Sequence, residues 1–282
     1  MLDLNAVILG GGKSPVNNNL PKGNTPYGES SLAGNVYDAL IHGYNFKRIA
    51  LVMNPDKRIP VRTSDIFVEP TFYRGAWLSG FRGVKAIDDG SSDYVLIAGD
   101  LPFLSDKIIS EFIRVIQTSK DADIILPLVT KELNQSAYQE RTRTYQPLQE
   151  GEFLAGNLGY LSQKALRKNE SRIESIALAY RKNFLFALNI INQLGLLTLL
   201  RSNHRKLPFI RNIPYYERLF PRLSLHELEE IASEFTGVNV KLAVFPHPEV
   251  AFDIDNIRQL ELAENLSRPG SRDLEGRLVK AS

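Results

Sequence analysis

The sequence predicts an α/β protein with a mostly parallel central sheet flanked by helices. Three observations predict it. Short runs of consecutive apolar residues, such as Tyr94 to Ile97, suit strands buried on both faces. These runs alternate with amphipathic helical stretches, the pattern of right-handed parallel crossovers. An acid, Asp100, follows the central apolar run, and Pro102 ends the strand there. The carboxyl end of a central parallel strand is where open α/β sheets bind ligands.

Taken in order, Asn5 to Leu9 is the first buried strand, and Gly10, Gly11 and Gly12 follow it at once. Glycines in that place allow tight turning and expose amide N–H groups to an anion. The spacing is neither that of a P-loop nor that of a dinucleotide fingerprint. Asn17 to Gly28 is a polar loop carrying Pro21 and Lys22. Leu32 to His42 forms an amphipathic helix, Arg48 to Met53 a second strand and Ile66 to Val68 a short third. Ala76 to Ile87 is expected to be helical despite Gly80 and Gly83. After the central strand, Ser105 caps a helix to Thr118 whose Ile108, Phe112, Val115 and Ile116 share one face. Asp123 to Val129 is a further strand, Arg141 to Tyr145 reads as an exposed strand, and Glu152 to Gly159 returns toward the core.

From Ser162 to about Ser233 the pattern is mostly helical, including Ile173 to Gln193, and reads as an insertion within one domain over 1–266. Ser224 and Glu227 give its last helix a capping-box start. Asn239 to Phe245 is a strand and Asn256 to Leu266 a helix. The charged segment 267–282 is expected to be mobile.

Composition bounds the function. With 282 residues and 43% hydrophobic content, the chain can bury a sizeable core. A net charge of +2 is too mild to argue for nucleic acid, though a local cluster can still meet a small phosphate. The absence of cysteine excludes disulfides and thiolate metal sites and fits a cytoplasmic protein. No signal peptide or membrane span is expected. The sequence says nothing about oligomeric state.

Three carboxylates and a few cations are the candidates for chemistry. Asp100 either caps the next helix or serves a ligand, and Ser105 is the better cap. Asp253 and Asp255 stand at alternate positions. If extended, they face one side and can reach one cation; otherwise they start a helix. An all-oxygen set suits Mg²⁺ held by one or two carboxylates plus substrate phosphates. Lys13, Lys22 and Arg143 supply positive charge for a polyphosphate, or are solvated surface charges. The four histidines, His42, His204, His226 and His247, are scattered and receive no catalytic role.

Ala6-Val7-Ile8-Leu9-Gly10-Gly11-Gly12 resembles the glycine-rich opening of nucleotidyltransferases of the molybdenum-cofactor guanylyltransferase-like superfamily. Pro21-Lys22 resembles their signature lysine. Gly99-Asp100-Leu101-Pro102-Phe103-Leu104 resembles their metal motif, and Phe252-Asp253-Ile254-Asp255 their late Asp-x-Asp. Arg143-Thr144-Tyr145, Gly156-Asn157-Leu158 and Arg181-Lys182-Asn183 resemble segments of a longer branch of that superfamily. The resemblance implies a glycosyltransferase-A-like, Rossmann-related fold. It also implies Mg²⁺-dependent (or Mn²⁺-dependent) transfer of a nucleotide from an NTP to a small phosphorylated acceptor, with release of pyrophosphate. By the same resemblance Asp100 and one or both of Asp253 and Asp255 bind metal. Gly10, Gly11, Gly12, Lys13, Lys22 and Gly99 hold the nucleotide, Lys22 and Asp100 are catalytic, and Arg143 and Asn157 face the acceptor. Lys13-Ser14-Pro15 and the asparagines at 17–19 replace the usual arginine-containing loop, so the nucleobase is left open. A glycosyltransferase using a nucleotide-sugar and a non-catalytic nucleotide-binding regulator are the alternatives.

Overall fold

The computed structural model describes residues 2–17, 19–70, 75–138, 143, 145–168, 170 and 222–267. Strand β1 (Leu4–Leu9) leads through a glycine turn to a small hairpin, β2 (Pro26–Tyr27) and β3 (Ser30–Ser31), and on to helix α1 (Leu32–Gly43). Then come β4 (Ile49–Val52), β5 (Ile66–Val68), α2 (Gly75–Ile87), β6 (Asp93–Ala98), α3 (Asp106–Thr118), β7 (Ile124–Thr130) and α4 (Lys131–Tyr138). Strands β8 (Gln146–Leu148), β9 (Gly151–Ala155) and β10 (Leu158–Leu161) follow. The described chain closes with α5 (Leu225–Thr236), β11 (Val240–Val244) and α6 (Ile257–Ser267).

The sheet runs β5-β4-β1-β6-β10-β7-β9-β8, with β11 beside β7. Strands β5, β4, β1 and β6 are parallel, as the apolar runs predict; β10 is antiparallel to both β6 and β7. Both faces of the parallel half are covered. Leu4, Ala6 and Ile8 pack with Val36 and Leu40 of α1 and with Phe112 and Ile116 of α3. Val7, Ala50, Val52 and Tyr94 point the other way and pack with Val84 and Ile87 of α2. Such double burial explains why these strands read as unbroken apolar runs. Gly83 lets α2 lie close on the sheet, because a Cβ there would come within 2.4 Å of Val7 Cγ1.

Several readings needed correction. Among the described residues of 141–145 there is no strand; β8 begins at Gln146. Helix α4, unforeseen, follows β7 directly. The return segment is two strands, because Pro127 in β7 has no N–H to offer on that side and pairing opens there. Gly156 N donates to Pro127 O at 2.8 Å across the gap. Of the expected insertion, the described ends are helical at 163–168 and in α5. The helix expected over Ile173 to Gln193, with Arg181-Lys182-Asn183, and nearly all of the tail lie outside the described residues. No described helix is long and apolar enough to cross a membrane.

One buried carboxylate knits the entry to β4. Asp65, with its side chain fully buried, accepts from Ile49 N (2.9 Å), Tyr37 Oη (2.8 Å) and both Nε (2.8 Å) and Nη2 (3.0 Å) of Arg62. Burial alone would raise its pKa, but the Arg62 and Tyr37 hydrogen bonds outweigh burial and hold it below the ordinary carboxylate range. The stabilisation is therefore complete above the unfolded pKa of about 4 and lost as pH falls through the lower folded value. Asp65→Asn is expected to cost about 2–4 kcal/mol near neutrality. In urea unfolding at a series of pH values, the gap between wild type and variant should narrow on acidification below about pH 4.

Candidate active site at the strand ends

The site begins with three glycines that meet backbone to backbone. A Cβ on Gly23 would lie 2.8 Å from Gly10 Cα, and one on Gly99 3.1 Å from it. Hydrogen bonds fix the approach: Gly23 N to Gly10 O (2.9 Å), Lys22 N to Gly12 O (2.5 Å) and Gly99 N to Leu9 O (2.9 Å). The contact draws the lysine loop against the ends of β1 and β6 and so sets Lys22 beside Asp100. Among the described residues, none accepts a hydrogen bond from the N–H of Gly11, Gly12 or Lys13. Free amides on a glycine turn form an anion-binding concavity.

The loop between these points is closed at its base. Lys13 bridges Pro21, Ser14 N donates to Leu20 O (3.0 Å), and Thr25 Oγ1 donates to Ser14 Oγ (2.8 Å). Its outer part exposes Val16 and Leu20. A second fastening was not foreseen. Arg58 forks onto Asp56 with Nε (2.9 Å) and Nη2 (2.7 Å), and donates to the carbonyls of Asn24 (2.9 Å) and Ser30 (3.2 Å). The chain after β4 thus holds both ends of the segment that follows Lys22. The available signal was an acid and an arginine two residues apart just past β4.

Asp100 stands two residues beyond β6 and is buried. Asp253 and Asp255 lie in the segment before α6, tied down by Ile254 N to Asp100 O (3.2 Å). Phe252 and Ile254 are fully buried in a cluster with Tyr27, Tyr138 and Leu260. Their acidic neighbours consequently face the opposite side, as alternation in an extended chain requires. Neither acid starts the helix; Asn256 Oδ1 accepts from Gln259 N (3.1 Å), the bond a cap makes. One oxygen from each of Asp100, Asp253 and Asp255 lies within 4.8 Å of the others. Three carboxylates without a nitrogen or sulfur donor fit a hard divalent cation such as Mg²⁺ or Mn²⁺.

Two cations reach into this cluster. Lys22 Nζ contacts Asp100 Oδ2 and lies 2.7 Å from Asp255 Oδ1. Arg143 Nη1 lies 2.6 Å from Asp253 Oδ1, and its Nη2 donates to Asp253 O (3.1 Å). Asn157 is fixed by its backbone: its N donates to Val250 O (2.6 Å) and its O accepts from Ala98 N (2.8 Å). It therefore lies between the end of β6 and the turn that leads to Asp253. Lys13 is exposed and joins no ion pair among the described residues. His247, at 2.6 Å from Glu111, ties that turn to α3.

Burial raises the Asp100 carboxyl from its ordinary 3.8 to about 6, with Asp253 and Asp255 adding to the rise and Lys22 opposing it. Burial also works against the Lys22 charge, but Asp100 and Asp255 outweigh it and hold the lysine above its usual value. Asp255, although partly desolvated, is held low by Lys22 and Arg143. A carboxyl whose folded pKa is raised favours the fold below its unfolded pKa and loses that contribution as pH rises through about 6. With chelator present, Asp100→Asn should therefore gain on the wild type by up to roughly 3 kcal/mol above pH 7, and the advantage should vanish below about pH 4. Thermal unfolding of both proteins across that range checks it.

The fold is shared with solved structures. A hypothetical transferase from Thermus thermophilus superposes with a TM-score of 0.71 at 23% identity, over 92% of this chain and 100% of that one. The CMP:2-keto-3-deoxy-manno-octonic acid synthetase complexed with CTP gives 0.53 at 11% identity, over 94% and 98%. The 4-diphosphocytidyl-2C-methyl-D-erythritol synthase from Anaerococcus prevotii gives 0.52 at 13%, over 95% and 99%. No curated protein matches the chain. The family model of the MobA-like NTP transferase domain matches residues 6–175, from the first strand through the glycine turn, Lys22, Asp100, Arg143 and Asn157. With more than half its length so matched, the chain belongs to the MobA-like NTP transferase family and is a nucleotidyltransferase.

Proposed function

We infer that the chain transfers a nucleoside monophosphate from an NTP to a small phosphorylated acceptor, releasing pyrophosphate, with Mg²⁺ at its carboxylates. The observation that carries this reading is the meeting of three carboxylates with Lys22 at the rim of a glycine turn whose amides have no partner among the described residues. A triphosphate needs those elements together: amides and a lysine for the phosphate charge, and carboxylates for the cation it brings. When bound, the metal would neutralise charge on the phosphates.

In the reaction an acceptor oxygen bonds to the α-phosphorus while the bond to the bridging oxygen breaks, and the electron pair leaves with pyrophosphate. The protein need supply no nucleophile; its residues position and neutralise. The amides of Gly11 and Gly12 face the phosphates, and Lys22 meets the charge that builds on them. Arg143, a planar fork held at Asp253, and Asn157 face the acceptor. Two of these neighbours carry a cytidyl name or bound CTP, yet the loop from Lys13 to Pro21 lacks the arginine of the family pattern, and it would set the base.

Incubation with each NTP, Mg²⁺ and a panel of sugar phosphates and related acceptors should release pyrophosphate with at least one pair. Asp100→Asn should lower kcat by about a hundredfold or more while preserving the far-UV circular dichroism. Release of a nucleoside diphosphate from a nucleotide-sugar, without pyrophosphate from any NTP, would point to glycosyl transfer instead. Undiminished turnover in the variant would remove Asp100 from the machinery.

A further inference from the structure

Every carboxylate suited to a metal here already touches a cation of the chain. Lys22 Nζ sits between Asp100 Oδ2 and Asp255 Oδ1, and Arg143 holds Asp253 through both its side chain and its carbonyl. Arg143 Nη1 also comes within 4.0 Å of Asp255 Oδ2. The stem of the same lysine packs on the glycine turn, since a Cβ on Gly12 would lie 3.3 Å from Lys22 Cδ. With its ammonium on both carboxylates, at most one of its three donors is left for a phosphate over the glycine turn.

We propose that Lys22 and Arg143 are exchangeable counter-ions of the metal-binding carboxylates, and that their exchange makes metal and nucleotide binding mutually dependent. The proposal rests on the nucleotidyltransferase reading. Its physical basis is charge balance in a buried place. Asp100 is 6% exposed, and a buried carboxylate left without a counter-charge is strongly unfavourable. Lys22 therefore leaves only if another cation arrives. A triphosphate at the free amides gives the lysine a new partner, and the carboxylates it vacates are then open. Without nucleotide, Lys22 competes for the same oxygens and metal affinity is held down. By linkage, the factor by which nucleotide tightens metal equals the factor by which metal tightens nucleotide.

Lysine suits this role because its ammonium is a point charge on a flexible stem. Arg143 is the stiffer lock, with two hydrogen bonds to one residue. Its release leaves a fork with two parallel donors, matched to a second phosphate.

The test is Mn²⁺ binding, followed by electron paramagnetic resonance at mildly alkaline pH. It compares wild type with Lys22→Met, each with and without non-hydrolysable analogues of the NTPs. Methionine keeps the stem that packs on Gly12 and removes the charge. Without nucleotide, Lys22→Met should bind Mn²⁺ about 10-fold or more tightly than wild type. The analogue's own phosphates tighten Mn²⁺ in both proteins, so the deciding quantity is the difference in coupling, which should shrink in the variant by that same factor. Equal or weaker Mn²⁺ binding by the variant, with nucleotide still bound by wild type, overturns the exchange and leaves the functional reading standing. Failure of every analogue to bind wild type overturns both. If Lys22→Met does not fold, Arg143→Met reports the exchange at Asp253, with the same expected sign.

Discussion

Gly10, Gly23 and Gly99 touch where side chains would normally intervene, and the rest of the site depends on that contact. A strand end, a loop and a second strand end are separated by long stretches of sequence. Nothing but backbone lies between them, so their spacing is set by van der Waals radii rather than by adjustable side chains. Lys22 and Asp100 are each the immediate neighbour of one of these glycines. Their ion pair is therefore a by-product of backbone packing, which brings the root of the lysine to the buried carboxylate and leaves only its flexible stem to move. The parallel strands beneath supply a floor packed on both faces.

Two buried aspartates show how differently the same side chain is used. Asp65 is satisfied from every side by donors of its own neighbourhood, and its charge stabilises the fold. Asp100 is equally buried but shares its surroundings with two more acids, and its charge strains the fold. The first arrangement is complete within the chain. The second is balanced by Lys22 and Arg143, side chains reaching in from distant parts of the chain, which marks it as a place for a charge from outside.

Much of this was legible in the residues. The apolar runs gave the parallel strands because both of their faces are buried. Ser105 and Ser224 gave helix starts because a cap is a local bond. Asp100 stood out because an acid at the end of an apolar strand has few bland explanations. Other features were beyond such reading. Whether Asp253 and Asp255 began a helix depended on Phe252 and Ile254 finding a buried cluster made by distant residues. The break between β9 and β10 came from a proline in a partner strand. The pairings of Lys22 and Arg143 with acids far along the chain have no local signal at all; the sequence assigned both cations to substrates and left the resting arrangement unread.

The loop from Lys13 to Pro21 leaves and re-enters the fold at one point, where Ser14 meets Leu20 and Thr25. What lies between is an inset framed by fixed backbone. Lineages could rewrite that inset, in length as well as composition, without disturbing the neighbouring lysine, because the frame and not the inset determines where Lys22 goes. If that inset sets the base, as proposed, substrate preference can change there while the groups that would handle the phosphates stay in place. Comparison by the frame, rather than by the loop, is the sounder measure of kinship.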